Sequence, residues 1–198
     1  MLGHILPTLR PALVSLALFT GLTGVVYPLV VTGIAKVAFP KQAGGSLVVE
    51  EGAVVGSERI GRSWDRPEYF WGRPSATQGA SGALPYNGAA SGGSNLGPTN
   101  PALADAARAR LEALRASDPE QTEPVPVDLV TASASGLDPD VSVAAAEWQV
   151  HRVAKARGLE EARVRALVGR ATTPPQLGIF GEPRVNVQAL NRALDDLR

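Results

Sequence analysis

The sequence predicts an α+β protein: a single N-terminal transmembrane helix followed by one small mixed soluble domain. Three observations carry this. Residues 11–35 read PALVSLALFTGLTGVVYPLVVTGIA, 25 residues without a charge, flanked by Arg10 and Lys36. Short β-branched runs follow on both sides of a turn at Gly52. Beyond residue 100 come capped helical patterns, grouped together rather than alternating with strands in a βαβ rhythm.

A spanning helix needs about 20 apolar residues. At about 1.5 Å per residue, the uncharged run reaches about 37 Å against a hydrocarbon core of about 30 Å, so a tilt is expected. The alternative is a cleaved signal peptide, whose apolar region is about 7–15 residues ending at a small-x-small site. This run is longer, and Gly33-Ile34-Ala35 makes a poor cleavage site, so it reads as an uncleaved anchor. Pro28 is the expected place for a kink. Gly21, Gly24 and Gly33 offer small faces to another helix. The expected organisation is a tail at 1–10, the span at 11–35, a linker at 36–45 and the soluble domain at 46–198. Arg10 and the α-amino group on one flank balance Lys36 and Lys41 on the other, so the positive-inside rule does not choose an orientation. A short tail before one long span commonly stays cytoplasmic, which puts the domain on the outer side.

Within the domain, 46–49 and 53–55 read as a hairpin around Glu50-Glu51-Gly52. SWDRPEYFWGRPSAT (63–77) gathers Trp64, Tyr69, Phe70 and Trp71, four of the ten aromatic residues. It is either a small aromatic core under a loop or a partner-facing patch, since aromatics and arginine favour interface centres. A glycine-rich stretch, 79–98, leads to Asn100-Pro101, a cap and first-turn proline that open a helix through about 116 on Leu103, Ala107, Leu111 and Leu114. Residues 127–130 read as a short strand. Ser142 caps a helix running to Arg157 and stopped by Gly158, with Val143, Ala146, Val150, Val153 and Ala154 as its buried stripe and Trp148, Gln149 and Arg152 off it. A shorter helix follows at about 160–168. Asn186 caps the last one, with Val187, Leu190, Leu194 and Leu197 facing inward.

Charge and composition exclude several functions. The chain carries 19 basic and 19 acidic residues. With Arg10, Lys36 and Lys41 outside it, the segment 42–198 holds 16 basic and 19 acidic groups, a net charge near −3. That argues against a nucleic-acid binder. There is no cysteine, so no disulfide, thiolate metal site or thiol nucleophile. The two histidines, His4 and His151, lie far apart. Asp138 and Asp140 flank a proline before a helix start and suit turn and dipole roles. SGGSNLGPTNP (91–101) is not a Walker loop: no G-x-x-x-x-G-K-[ST] occurs, and no lysine lies between Lys41 and Lys155. The chain does not read as a self-sufficient enzyme.

The span and six blocks in order after it resemble the C subunit of the Kdp potassium-transporting P-type ATPases of bacteria and archaea. The span carries RPAL and Tyr27-Pro28. GSERIGR (56–62) is similar to the family's GS-x-x-IGQ, departing at Arg62. YFWGRPSA (69–76), ASGGSNLGPTNP (90–101), VPVDLVTASASGLDP (125–139), Q-x-x-RVAKARG (149–158) and LG-x-x-GEPRVNV-x-x-LN-x-x-L (177–194) complete the set, over almost the whole chain.

The resemblance implies a non-catalytic accessory subunit of a high-affinity potassium uptake complex. Its implied partners are a channel-like potassium-translocating subunit, an ATP-hydrolysing pump subunit, a small single-span peptide and the membrane itself, with potassium as the transported ion. No cofactor of its own is implied; ATP enters through the complex. The family is also described as a catalytic chaperone that raises the pump's ATP affinity, with Gln149 at the position suggested to touch nucleotide. The other implied reading is an extracytoplasmic lid over the channel subunit, without a nucleotide role; there, acidic side chains such as Asp65, Glu68 and Asp128 would concentrate potassium. The expected docking surface combines Arg73, Pro74 and Ser75 with Gly92, Gly93, Ser94, Asn95, Leu96 and Gly97. Glycines allow close backbone approach there and prolines stiffen the loop. The alternative for the same residues is an internal turn that supports a small core.

Overall fold

A computed structural model describes residues 5–50, 52–77 and 85–197. His4, Glu51 of the expected hairpin turn, and Gly79 and Gly82 of the glycine-rich stretch lie outside the described residues. The chain divides into two compact units, at 1–47 and 48–198.

The first unit is the apolar helix. α1 (Ile5–Gly21) passes through a π-helical turn at Leu22–Val26 into α2 (Tyr27–Ala38). Together they supply a helix from Pro7 to Ala38, 32 residues, long and apolar enough to cross a membrane. Its large side chains, such as Leu16, Leu29 and Ile34, are all exposed, which suits lipid and not water. Instead of a plain kink at Pro28, the widened turn comes just before it. Pro28 has no N–H to give and would crowd the carbonyl four residues back. Tyr27 N–H reaches back to the Leu22 carbonyl, five residues away, and the Thr23 hydroxyl donates to the Phe19 carbonyl at 2.7 Å. The helix continues past residue 35, and α3 (Pro40–Ala43) adds one further turn where a linker is expected.

The second unit is the α+β domain. β1 (Leu47–Glu50) and β2 (Ala53–Ser57) pair, with Gly52 at φ +81° in the turn. A second sheet has β3 (Asp140–Ser142), β4 (Thr172–Thr173) and β5 (Arg184–Asn186) in the order β3-β5-β4, all antiparallel, with Val141 opposite Val185. β3 and β5 each run straight into a helix: α5 (Val143–Trp148), followed by α6 (Val150–Arg157), and α8 (Val187–Asp195). Both helices start on a side-chain cap. The Ser142 hydroxyl accepts from Ala145 N–H and the Asn186 amide oxygen from Ala189 N–H, each at 3.0 Å. α4 (Pro101–Ser117) starts on Asn100 in the same manner, and α7 (Glu161–Ala171) closes the layer. Gly158 stops α6 in the left-handed conformation, as its position predicts.

The core lies between the three-stranded sheet and α5–α8. Val141, Val185, Ala145, Val150, Val153, Val164, Val168, Leu190 and Leu194 are buried, joined by Phe70 from the long loop. Two expectations change. Residues 127–130 form no strand but a 3₁₀ turn, Val127–Leu129, entered from Pro126 and leaving Val127 exposed while Leu129 is buried. The turn aims Asp128 at the start of α5, where its carboxylate accepts from Ser142 N–H (2.7 Å) and the Ser142 hydroxyl (3.2 Å). The expected helix from 143 to 157 is broken at Gln149, whose φ −88° and ψ −8° separate α5 from α6. Trp148, Gln149 and Arg152, expected off the buried stripe, are all buried. The break gives the two helices different faces, and residues 66–72 cover the second one.

Candidate partner interface

Phe70 explains the geometry of the aromatic segment. Its ring is fully buried in the core, so its backbone is buried too and must find hydrogen-bond partners away from any strand. Two helix side chains supply them. The Asn191 amide accepts from Phe70 N–H at 2.8 Å and donates to the Phe70 carbonyl at 2.9 Å. The Gln149 amide accepts from Trp71 N–H at 2.8 Å and donates to the Trp71 carbonyl at 3.1 Å. A side-chain amide has the same donor and acceptor as a peptide unit. Asn191 of α8 and Gln149 at the α5–α6 break therefore stand in for a neighbouring strand.

Two arginines complete the clamp. Arg152 donates to the carbonyls of Pro67 (2.7 Å) and Tyr69 (3.1 Å) and to the Gln149 amide oxygen (2.6 Å), with its guanidinium 4.1 Å from the Trp71 ring centre. Burial pushes its pKa down to about 10, with the Asp118 charge opposing, so it remains a cation at neutral pH. Arg157 donates to the Glu68 carbonyl at 2.8 Å and pairs with Asp195 at 2.7 Å. Gln149 is 0 % exposed. Its oxygen accepts from Trp71 and Arg152, and its nitrogen donates to the carbonyls of Trp71 and Ala145. Every hydrogen-bonding position of that amide is in use within the domain.

Beyond the clamp, three loops knit into one layer. Ser75 is the hub. Its hydroxyl donates to the Gly136 carbonyl (2.6 Å), so the Thr77 hydroxyl, 2.9 Å away, must donate to it; it also accepts from Tyr86 N–H (2.9 Å). Arg73 pairs with Asp138 at 3.0 Å, and the Pro74 carbonyl accepts from Ser133 N–H at 3.2 Å. Gly92 N–H and the Ser91 hydroxyl both donate to the Ser135 carbonyl, at 2.9 and 3.1 Å. Contact is close enough to require glycine. A Cβ at Gly93 would sit 2.9 Å from the Ala134 carbonyl oxygen, and one at Gly136 would sit 2.5 Å from the Thr77 methyl carbon. Tyr86 fills the middle, its hydroxyl donating to the Arg73 carbonyl at 2.5 Å; burial, with the Asp138 charge second, pushes its pKa up to about 12.

The two blocks expected to form one docking surface are thus neighbours. Arg73, Pro74, Ser75, Gly92 and Gly93 lie on the inner side, half-buried and committed to the layer, whereas Ser94, Asn95 and Gly97 face solvent with Leu96 between. Asn95 adopts φ +51°, a conformation asparagine tolerates. Of the acidic trio, Asp65 is exposed, Glu68 pairs with Arg66, and Asp128 caps α5. His151 is partly exposed on α6, its Nδ1 2.8 Å from the buried Asp118 carboxylate. Asn191 and Tyr86 were given no role from the sequence, and Arg152 was expected off the buried stripe. The one available signal was an asparagine placed between Leu190 and Leu194 on an otherwise apolar face.

Comparison with known proteins gives a consistent result. A family model described as "KdpC: K+-transporting ATPase, c chain" matches residues 9–196. A "Potassium-transporting ATPase KdpC subunit" of Sorangium cellulosum (strain So ce56) is 62 % identical over 198 residues, covering all of both chains. One from Variovorax paradoxus (strain S110) is 62 % identical over 94 % of this chain and 95 % of its own. One from Herpetosiphon aurantiacus is 58 % identical over 96 % of each.

Proposed function

The chain belongs to the family of K+-transporting ATPase c chains, and on that premise we propose that it is a non-catalytic, membrane-anchored accessory subunit needed to assemble and regulate a potassium-transporting ATPase. Its partners in this reading are a channel-like potassium-translocating subunit, an ATP-hydrolysing pump subunit and a small single-span subunit. What carries the reading is the clamp with its loop layer. The backbone at 67–71 is hydrogen-bonded from within by Gln149, Asn191, Arg152 and Arg157. Beside it, the exposed Ser94, Asn95 and Gly97 are presented in loops. A surface made rigid in advance loses little conformational freedom on binding, which suits contact with another chain.

An effect on the pump's ATP affinity is, in this proposal, transmitted through that surface. Gln149 acts from inside the clamp, by keeping the surface in shape, rather than by touching nucleotide. The domain is placed on the extracytoplasmic side; the absence of lysine between Lys41 and Lys155, and so of a phosphate-binding lysine in the loops, supports this.

The test uses a host strain without its own c chain, grown at limiting potassium. Expression of this chain should restore growth and allow the ATPase chains to purify together. Growth and ATPase assembly without the chain would sink the subunit reading. Protease added to intact cells with a permeable outer layer should cut within 48–198; complete protection would sink the outside placement.

A further inference from the structure

The loop between β4 and β5 presents an apolar peg that the domain itself does not use. Leu177, Ile179 and Phe180 are 88, 78 and 64 % exposed. The loop is well ordered by its own hydrogen bonds. Gln176 and Phe180 exchange backbone bonds at 2.9 Å in both directions, and Ile179 N–H donates to the Gln176 carbonyl at 3.1 Å. Leu177 and Gly178 turn the chain at φ +54° and +75°. Asparagine, aspartate or glycine is the favoured first residue of such a left-handed pair. A leucine there works against the local backbone and against solubility, and it packs against nothing in its own domain.

We propose that this peg inserts into an apolar recess on a neighbouring chain of the same ATPase, as a second contact distinct from the loop layer around Ser75. The inference rests on the subunit reading above. Two observations select the occupant. Three such side chains offer on the order of 400 Å² of apolar surface, about half of what one partner gives up in a stable stand-alone interface. The peg therefore fits a partner already held beside it by other contacts, where a small additional contact is effective. The charge pattern argues against lipid. From 172 to 183 the only charged residue is Glu182, and Arg184 beyond it is paired with Asp140 at 2.9 Å. Segments that dip into membranes carry lysine and arginine around the apolar tip; here that collar is missing and the domain is acidic. Beside the peg lies a cleft of about 710 Å³ in which Pro126, Val127 and Pro183 sit among charged side chains that include Asp128, Asp140 and Arg184.

The variant Leu177→Asn/Ile179→Thr/Phe180→Ser, made in the full-length chain, tests this. Asn-Gly suits the turn, so unfolding of the chain in detergent should not change. Retention of the other ATPase chains on the tagged variant in detergent should fall by about tenfold or more, the effect of losing one leucine-sized buried contact. Unchanged retention in both detergent and proteoliposomes overturns the peg while leaving the subunit reading intact. Failure of the unaltered chain to retain partners overturns both. An effect confined to proteoliposomes, with none in detergent, points to lipid and overturns the proposal. A second readout does not depend on stability. The chain has no cysteine, so Leu177→Cys can carry a photoreactive maleimide. A cross-link to another ATPase chain supports the peg; a cross-link to lipid or to a second copy overturns it.

Discussion

Replacing Gln149 by leucine separates the two roles its position has been given. Leucine fits the space but has no amide. The change leaves Trp71 N–H and the Trp71 carbonyl without partners and takes one acceptor from the buried Arg152. Each orphaned buried group costs about 1–3 kcal/mol, more beside a charge. The expected loss is therefore about 3–6 kcal/mol, offset slightly by the added apolar contact. Domain stabilities are about 5–15 kcal/mol, so this is a large fraction. It corresponds to a drop in melting temperature on the order of 10 °C for a domain of this size. The assay is thermal unfolding of the full-length chain in detergent, with and without ATP, beside the ATP dependence of hydrolysis by the assembled complex. The reasoning predicts a lower melting temperature whether or not ATP is present, with Asn191→Leu behaving alike. An unchanged melting temperature together with weakened ATP affinity would refute it and return Gln149 to the nucleotide.

Three further outcomes follow from the same geometry. The hydrogen bond that His151 Nδ1–H donates to the Asp118 carboxylate raises the His151 pKa, opposed by burial and assisted by the charges of Asp118, Glu161 and Glu120. This pair should stabilise the domain fully below about pH 6.5, the unfolded value, and lose its contribution as pH rises through the raised folded value; His151→Gln should flatten that part of the stability–pH curve measured by urea unfolding. Gly136→Ala should cost about 1–3 kcal/mol or more, because φ is +65° and the new methyl meets Thr77 and the Gly92 carbonyl; a melting temperature equal to that of the unaltered chain would contradict the packing of the loop layer. Ser94→Arg changes an exposed residue and should leave unfolding unaltered while lowering recovery of the assembled ATPase; intact assembly would remove Ser94, Asn95 and Gly97 from the docking surface.

Much of the fold was legible because its signals are local. Asn100-Pro101, Ser142, Gly158 and Asn186 each mark a helix end through a bond or backbone angle set within a few residues. The apolar span needs only length and the lack of charge. The clamp and loop layer were legible as a set of blocks but not as a hydrogen-bonded arrangement. A glutamine within a helical pattern looks like a solvated residue, and nothing nearby reveals that its partner is Trp71, 78 residues earlier. The break at Gln149 follows from that distant contact, which is why one continuous helix was expected. Residues 127–130 carry strand-like side chains, yet Pro126 and the capping duty of Asp128 win locally. The peg at Leu177 lies in one of the blocks that carry the resemblance, but nothing local shows that Leu177, Ile179 and Phe180 are left exposed.

The clamp also sets an order of events during synthesis. Phe70 leaves the ribosome 121 residues before Asn191, the residue that receives its backbone. At about 5–20 residues per second that interval is about 6–24 s. Throughout it the aromatic segment is a nascent strand edge with nothing to bond to, exposed to whatever else can add to it. Residues 70–71, made early, are held by Gln149 and Asn191, made late, so truncated polypeptides that end before Asn191 lack half of the clamp.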